Sequence, residues 1–303
     1  MRFVVQSPFQ ALSAIEARTA LGIPPAFARL VVIRPNEELG RVQVERVIAS
    51  VGWAERTDIA YDGNVFRSAQ RLLQTLRAAD DQDDVAIGEY RSPLMRHLAN
   101  RASRSGRSTL LLDDGVGTLL VRDLRAGTAV DAPSFAGSAR RAQLLRLAGL
   151  DVRDPATLTY VTSYDMDVSA PDRLSACADD SQPLYVGTNL VESGAISEEW
   201  YLRHATSTCR AFGSRYVPHR RESNTKLHQL REAGVSVVHL DGPLEFELGE
   251  QRWRPQRVDT IFSSVLHNLP KLLDVHFRAV VPPQTAVNAE WSPRLRNLFD
   301  SLA

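Results

Sequence analysis

The sequence predicts an α/β protein made of two consecutive doubly wound, Rossmann-like domains, each a mainly parallel sheet with helices on both faces. Three observations lead there. Short β-branched runs alternate with longer amphipathic segments along nearly the whole chain, as in sheets covered on both sides. One less regular stretch, about 122–171, interrupts that alternation, which resumes after a polar stretch at 179–183. The 303 residues suffice for two domains of ordinary size.

The elements follow in order. Residues 2–6 (RFVVQ) read as a strand and 8–22 as a helix with Pro8 in its first turn, where a missing N–H costs nothing. A strand at 28–34 leads to a helix carrying Leu39, Val42, Val47 and Val51. Residues 56–61 precede a helix whose apolar stripe includes Phe66, Leu72, Leu73 and Leu76. Strands at 83–89 and 108–114 flank a helix around Leu94 and Leu98. The irregular stretch holds a basic helix at 138–150 and an apolar run at 158–164. Beyond it, strands are expected at 183–187, 214–218, 235–240, 257–262 and 277–281. Helices should begin near Ser197 and Ser223, and a last one spans 292–302. The division into domains is expected at 1–175 and 176–303, with the last helix able to pack back on the first domain.

Composition excludes several classes. Lys+Arg and Asp+Glu both total 36, so no overall field draws the chain to nucleic acid or to an anionic membrane. The opening residues enter a strand pattern directly, without a signal-peptide core, and nothing approaches a spanning helix. Cys177 and Cys209 do not form a Cys-x-x-Cys pair, which argues against a disulfide framework or a zinc site. A cytoplasmic protein is expected, and local basic patches leave room for peripheral attachment at the inner face of the membrane.

Three polar clusters end three of the strands: Asp113-Asp114-Gly115, His219 within YVPHRRES, and Ser263-Ser264 after RVDTIF. Parallel strands share one carboxyl edge, where ligands of such folds bind. Taken singly, each cluster has a plain structural explanation: an Asp-Gly turn, a loop histidine, a helix cap. Together they match a reaction. Adjacent carboxylates raise one another's pKa and make a base for a hydroxyl. A histidine with an ordinary pKa near neutrality can assist an anionic leaving group. Serine hydroxyls at a helix N-terminus hold phosphate. His267, on the helix after the serines, is the competing histidine.

These three motifs resemble, in the same order, those of bacterial sialyltransferases and polysialyltransferases: an acidic pair with glycine, a His-Pro dipeptide, and a Ser-Ser or Ser-Thr pair. The segments VVQSPFQALSAIEA, at the start, and YVGTNLVESGAISEEWYL, at 185–202, are also similar to that family. The resemblance implies the GT-B architecture, two Rossmann-like domains facing a cleft, and an inverting transfer of sialic acid or a related nonulosonic acid from its CMP-activated donor to an acceptor glycan. It implies a base at Asp113, with Asp114 as second choice, on the acceptor side of the first domain. His219, Ser263 and Ser264 would meet the donor phosphate, and Glu245, with Glu247 as fallback, would read the cytosine amino group. Gly187 lies in the matched segment of the donor domain, and Ser7 and Gln10 stand where an acceptor could be met. No cofactor and no metal are implied.

The chain departs from the family at Arg220, which stands where proline should follow the histidine. Arg220 could add charge to phosphate binding, at the cost of a less rigid loop. Three rivals stand beside this reading. The triplet DMD at 165–167 points to a metal-dependent transferase, although short Asp-x-Asp triplets arise by chance and DQD at 81–83 is another. A donor carrying another CMP-linked acidic sugar such as Kdo would use the same phosphate and cytosine contacts. A non-catalytic nucleotide- or glycan-binding module would need the serines but not the acid–base pair.

Overall fold

The computed structural model describes residues 1–59, 83–89, 92–112, 159–161, 182–251, 255–263, 265–272 and 275–291. The chain divides into two compact units, Met1–Val168 and Ser169–Ala303.

In the first unit, strands β1 (Arg2–Val5), β2 (Arg29–Ile33), β3 (Glu55–Ile59), β4 (Val85–Ile87), β5 (Thr109–Leu112) and β6 (Thr159–Val161) form one sheet in the order β3-β2-β1-β4-β5-β6. Every pairing is parallel. This is the doubly wound order, and it reverses direction between β1 and β4. All four residues of β1 are buried, as expected of a central strand covered on both faces. Helix α1 (Pro8–Ala20) follows it at once. Ser7 caps that helix by accepting from the Gln10 N–H at 3.2 Å, and Pro8 starts it. Ala11, Ala14 and Ala17 make its buried face, so the helix backbone can lie close to the sheet. It ends at Gly22, whose φ of 63° allows Gly22 and Ile23 to return hydrogen bonds to Thr19 and Arg18. A 3-10 turn (Pro25–Phe27) and helices α2 (Glu38–Ile48) and α3 (Pro93–Arg104) complete the described part of the unit. Met95, Leu98, Ala99 and Ala102 of α3 pack with Val4, Val85, Ile87 and Leu111 of the sheet.

In the second unit, β7 (Leu184–Val186), β8 (Arg215–Val217), β9 (Arg257–Thr260) and β10 (His276–Ala279) form a parallel sheet in the order β10-β9-β7-β8. A parallel bridge between Tyr216 and Val237 prolongs it beyond β8. The strand expected at 235–240 is reduced to that bridge, held by Tyr216 N–H to the Ser236 carbonyl and Val238 N–H to the Tyr216 carbonyl. The sheet changes direction between β7 and β9, the second unit's own switch point.

Helices α4 (Glu198–Phe212), α5 (Asn224–Glu232), α6 (Leu244–Gln251) and α7 (Val265–Leu272) cover the two faces. Alternation along the strands divides the core. Tyr185 and Tyr216 pack with Tyr201, Ala205, Leu227 and Leu230, whereas Leu184, Val186 and Val217 pack with Leu244, Leu248 and Leu269. Helix α6 has no counterpart among the expected elements. The helices expected around Phe66–Leu76, at 138–150 and at 292–302 lie outside the described residues. No described helix is long and apolar enough to cross a membrane.

Candidate functional site

The carboxyl edge of the second sheet gathers four of the residues singled out from sequence. The loop after β7 begins with Gly187, the loop after β8 carries His219 and Arg220, and the loop after β9 carries Ser263. Because β7 lies between β8 and β9, the His219 and Ser263 loops flank the Gly187 loop. That is the crevice side on which open α/β sheets bind ligands.

The turn bearing His219 is closed by three hydrogen bonds. The Glu222 N–H donates to the His219 carbonyl at 2.9 Å, the Arg221 N–H donates to His219 Nδ1 at 3.1 Å, and the His219 N–H donates to Glu222 Oε1 at 2.7 Å. Since Nδ1 accepts, the neutral ring carries its proton on Nε2. Burial, then the charges of Arg220, Arg221 and Lys226, push the imidazole down to about 3. This corrects the expectation of a histidine titrating near neutrality. At pH 7 the ring is a neutral Nε2–H donor, and a phosphate placed against it would raise its pKa by adding negative charge.

Glu222 was not singled out from the sequence, yet it is the centre of this edge. Its side chain is wholly buried, and besides the His219 N–H it accepts from the Tyr216 hydroxyl at 2.7 Å and pairs with Lys226 at 3.3 Å. Burial pushes the Glu222 carboxyl up to about 7, against the pull of Lys226, the Tyr216 hydroxyl and the His219 N–H. Tyr216 is held well above its ordinary value, chiefly by burial, so it stays protonated and able to donate. Its oxygen lies 2.6 Å from that of Tyr201, and its ring stacks on Tyr185. Lys226, equally buried, also reaches Glu192 at 3.0 Å and the Thr188 carbonyl at 3.1 Å, and lies 4.5 Å over the Tyr201 ring. Gly187 is the position that makes room. A Cβ there would stand 1.9 Å from Glu222 Oε1 and 2.7 Å from the Tyr216 hydroxyl.

Helix α6 brings Glu245 and Glu247 into its first turn. Glu247 is 2 % exposed, and Gly242 gives way to it, since a Cβ at 242 would lie 2.6 Å from Glu247 Oε1. Glu245 is half-buried and accepts from Asn268 Nδ2 at 2.9 Å, which ties α6 to α7. Of the two carboxylates, Glu245 is the more accessible. Ser263 sits at the start of α7, its hydroxyl accepting weakly from the Val265 N–H at 3.4 Å while the Leu266 N–H donates to its carbonyl at 3.1 Å. Ser264 lies outside the described residues, as do Asp113, Asp114 and the DMD triplet. Strand β5 does end at Leu112, directly before the acidic pair.

Ser7 and Gln10 stand at the switch point of the first unit, and both are nearly inaccessible, at 3 % and 1 % exposure. Ser7 Oγ caps α1, and Gln10 Oε1 accepts from the Gln6 N–H at 2.9 Å. Gly88, after β4, leaves space for the Gln10 amide, because a Cβ there would lie 2.2 Å from Oε1. Each unit thus seats a polar side chain against a glycine that leaves a central strand, Gln10 on Gly88 and Glu222 on Gly187. Among the described residues no group of three or more His, Cys, Asp or Glu side chains is arranged to hold a metal ion.

No family model matches the sequence, and no curated protein matches it significantly. Solved structures do resemble it in fold. One, described as a UDP-N-acetylglucosamine 2-epimerase from Listeria monocytogenes, superimposes with a TM-score of 0.52 at 14% identity, covering 92% of this chain and 78% of that one. Another, an α/β-galactoside α-2,3-sialyltransferase from Photobacterium phosphoreum, superimposes with a TM-score of 0.50 at 11% identity, covering 100% and 95%. Both similarities concern the fold, which an epimerase and a transferase share, so the reaction has to be argued from the site. The two parallel sheets, each with its own switch point, give this chain the Rossmann-like architecture of the GT-B type.

Proposed function

We propose that the protein is an inverting glycosyltransferase that moves sialic acid, or a related nonulosonic acid, from its CMP-linked donor to an acceptor glycan. The observation that carries this reading is the placement of His219 and Ser263 on loops flanking Gly187 at one carboxyl edge. With Glu245 at the start of α6, that edge offers the contacts a nucleoside monophosphate needs. His219 Nε2–H and the Ser263 hydroxyl are donors of the kind a phosphate oxygen accepts from. Glu245 is the carboxylate suited to accept from the cytosine amino group.

In the reaction, the bond between the sugar's anomeric carbon and the phosphate oxygen breaks, and its electron pair leaves with CMP. The acceptor hydroxyl attacks that carbon from the opposite face and gives its proton to Asp113, or to Asp114. The leaving phosphate is the group whose charge grows. A neutral Nε2–H held in a fixed turn stabilises that charge without reorganising during the step. Arg220 and Arg221 add positive charge around the same loop. No step in this scheme calls for a divalent ion.

The test is incubation with CMP-sialic acid, an acceptor glycan and a chelator. CMP release that depends on the acceptor and survives chelation supports the reading. Release abolished by chelation points to the metal-dependent rival, and release from CMP-Kdo alone changes the donor. No release from any CMP-linked acid favours a binding module.

A further inference from the structure

We infer that Glu222 is the positioning residue of the His219 turn and takes over the restraint that a proline at position 220 would supply. The inference rests on the reading above in one respect only, that His219 meets the leaving phosphate.

Residues 219–222 form a β-turn, with the His219 carbonyl accepting from the Glu222 N–H. Arg220 is its second residue, the position where proline is favoured because its ring presets φ. This chain has arginine there and leaves that φ to other restraints. The restraint comes from the other end of the turn. The Glu222 carboxylate folds back onto the His219 N–H at 2.7 Å, the reciprocal arrangement a capping box uses at a helix start. What makes the hold firm is that the carboxylate is itself fixed. Tyr216 anchors it to β8, Lys226 to α5, and the missing Cβ of Gly187 lets it lie against the end of β7. His219 is therefore oriented from both sides, its N–H by Glu222 and its Nδ1 by the Arg221 N–H, which leaves Nε2–H as the donor of the neutral ring. A buried carboxylate whose oxygens are shared among a strand hydroxyl, a helix ammonium and one loop amide is costly to place in a core. An apolar residue would fill the same space, but it could not hold the loop.

The test is a double-mutant cycle between positions 220 and 222. Glu222→Met keeps the volume and removes the acceptor, Glu222→Gln keeps an acceptor, and Arg220→Pro restores the dipeptide. Two readouts are taken: hydrogen exchange of the His219 and Arg221 amides, and transfer from CMP-sialic acid. Glu222→Met is expected to speed exchange at His219 about tenfold or more and to lower kcat by a similar factor, with CMP affinity changing less. Glu222→Gln should stay within about threefold of the native chain. In the Arg220→Pro background the Glu222→Met penalty should shrink to about threefold or less. If Met is not accommodated, Glu222→Asp repeats the comparison, keeping the charge beside Lys226 while shortening the reach to His219. Unchanged His219 exchange in the Glu222 variants, or an equal penalty in both backgrounds, overturns the inference. A native chain that transfers from no CMP-linked acid overturns the donor reading instead, and amide exchange still decides the role of Glu222.

Discussion

Glu222 and His219 should make the stability of the second unit depend on pH in opposite directions. The Glu222 carboxyl is raised from its ordinary 4.5 to about 7, so the folded state keeps a proton that the unfolded chain gives up. Its contribution is fully present below pH 4.5 and is lost as pH rises to about 7. At 1.36 kcal/mol per pH unit, that loss comes to about 3 kcal/mol. His219 is lowered from 6.5 to about 3, so its contribution is present above pH 6.5 and is lost as pH falls toward 3. The same conversion gives up to about 5 kcal/mol, trimmed because the ring is only partly covered. Between pH 4.5 and 6.5 the two nearly cancel in the native chain. Glu222→Gln removes the carboxyl and should unmask a stability that rises with pH, while His219→Gln should unmask one that falls. The assay is urea unfolding from pH 4.5 to 8, followed by tryptophan fluorescence. Three of the four tryptophans, Trp200, Trp253 and Trp291, belong to the second unit. The refuting result is an identical pH slope in the native chain and in Glu222→Gln.

Other consequences follow from the same contacts. Gly187→Ala drives a methyl group into the Glu222 carboxylate and should cost about 1–3 kcal/mol of stability, readable as a lowered urea midpoint. Asp113→Ala should abolish transfer while CMP affinity stays nearly intact, and normal transfer by that variant together with loss in Asp114→Ala would move the base by one residue. Ser263→Ala should weaken CMP binding, because the hydroxyl that opens α7 is lost; calorimetry at constant salt reads it. Glu245→Gln should reduce the preference for CMP over UMP about tenfold, since a bonded, correctly matched base edge is worth roughly 1–3 kcal/mol.

Much of the fold was legible because its signals are local. Runs such as RFVV and TLLL are fully buried strands, and Ser7-Pro8 starts α1 where the capping chemistry says it should. Ser197 and Ser223 likewise cap α4 and α5. Helix α6 was missed because GPLEFEL opens with two breakers and is short, so its helical period has little length in which to show. The strand at 235–240 was overcounted, since VSVV has strand composition but keeps one ladder contact only. Glu222 was invisible for a different reason. It sits in HRRES, a run that reads as solvated, and nothing nearby announces that its carboxylate turns inward. Its burial depends on Tyr216, Lys226 and the bare Cα of Gly187, which come from separate elements. The only local trace is spacing: Glu222 lies three residues after His219, where a side chain can fold back on a turn, and four before Lys226, where it can pair along a helix. The depressed pKa of His219 arises in the same way, from burial and neighbouring cations that a loop motif does not disclose.

The measurement that bears most directly on the proposed donor is calorimetric titration of the native chain with CMP and with UMP, both in the presence of chelator. The proposed pairing of cytosine with Glu245, beside the His219 and Ser263 loops, requires CMP to bind at least tenfold more tightly. Equal affinities, or a preference for UMP, would contradict a CMP-linked donor and leave the two-sheet architecture with a different nucleotide.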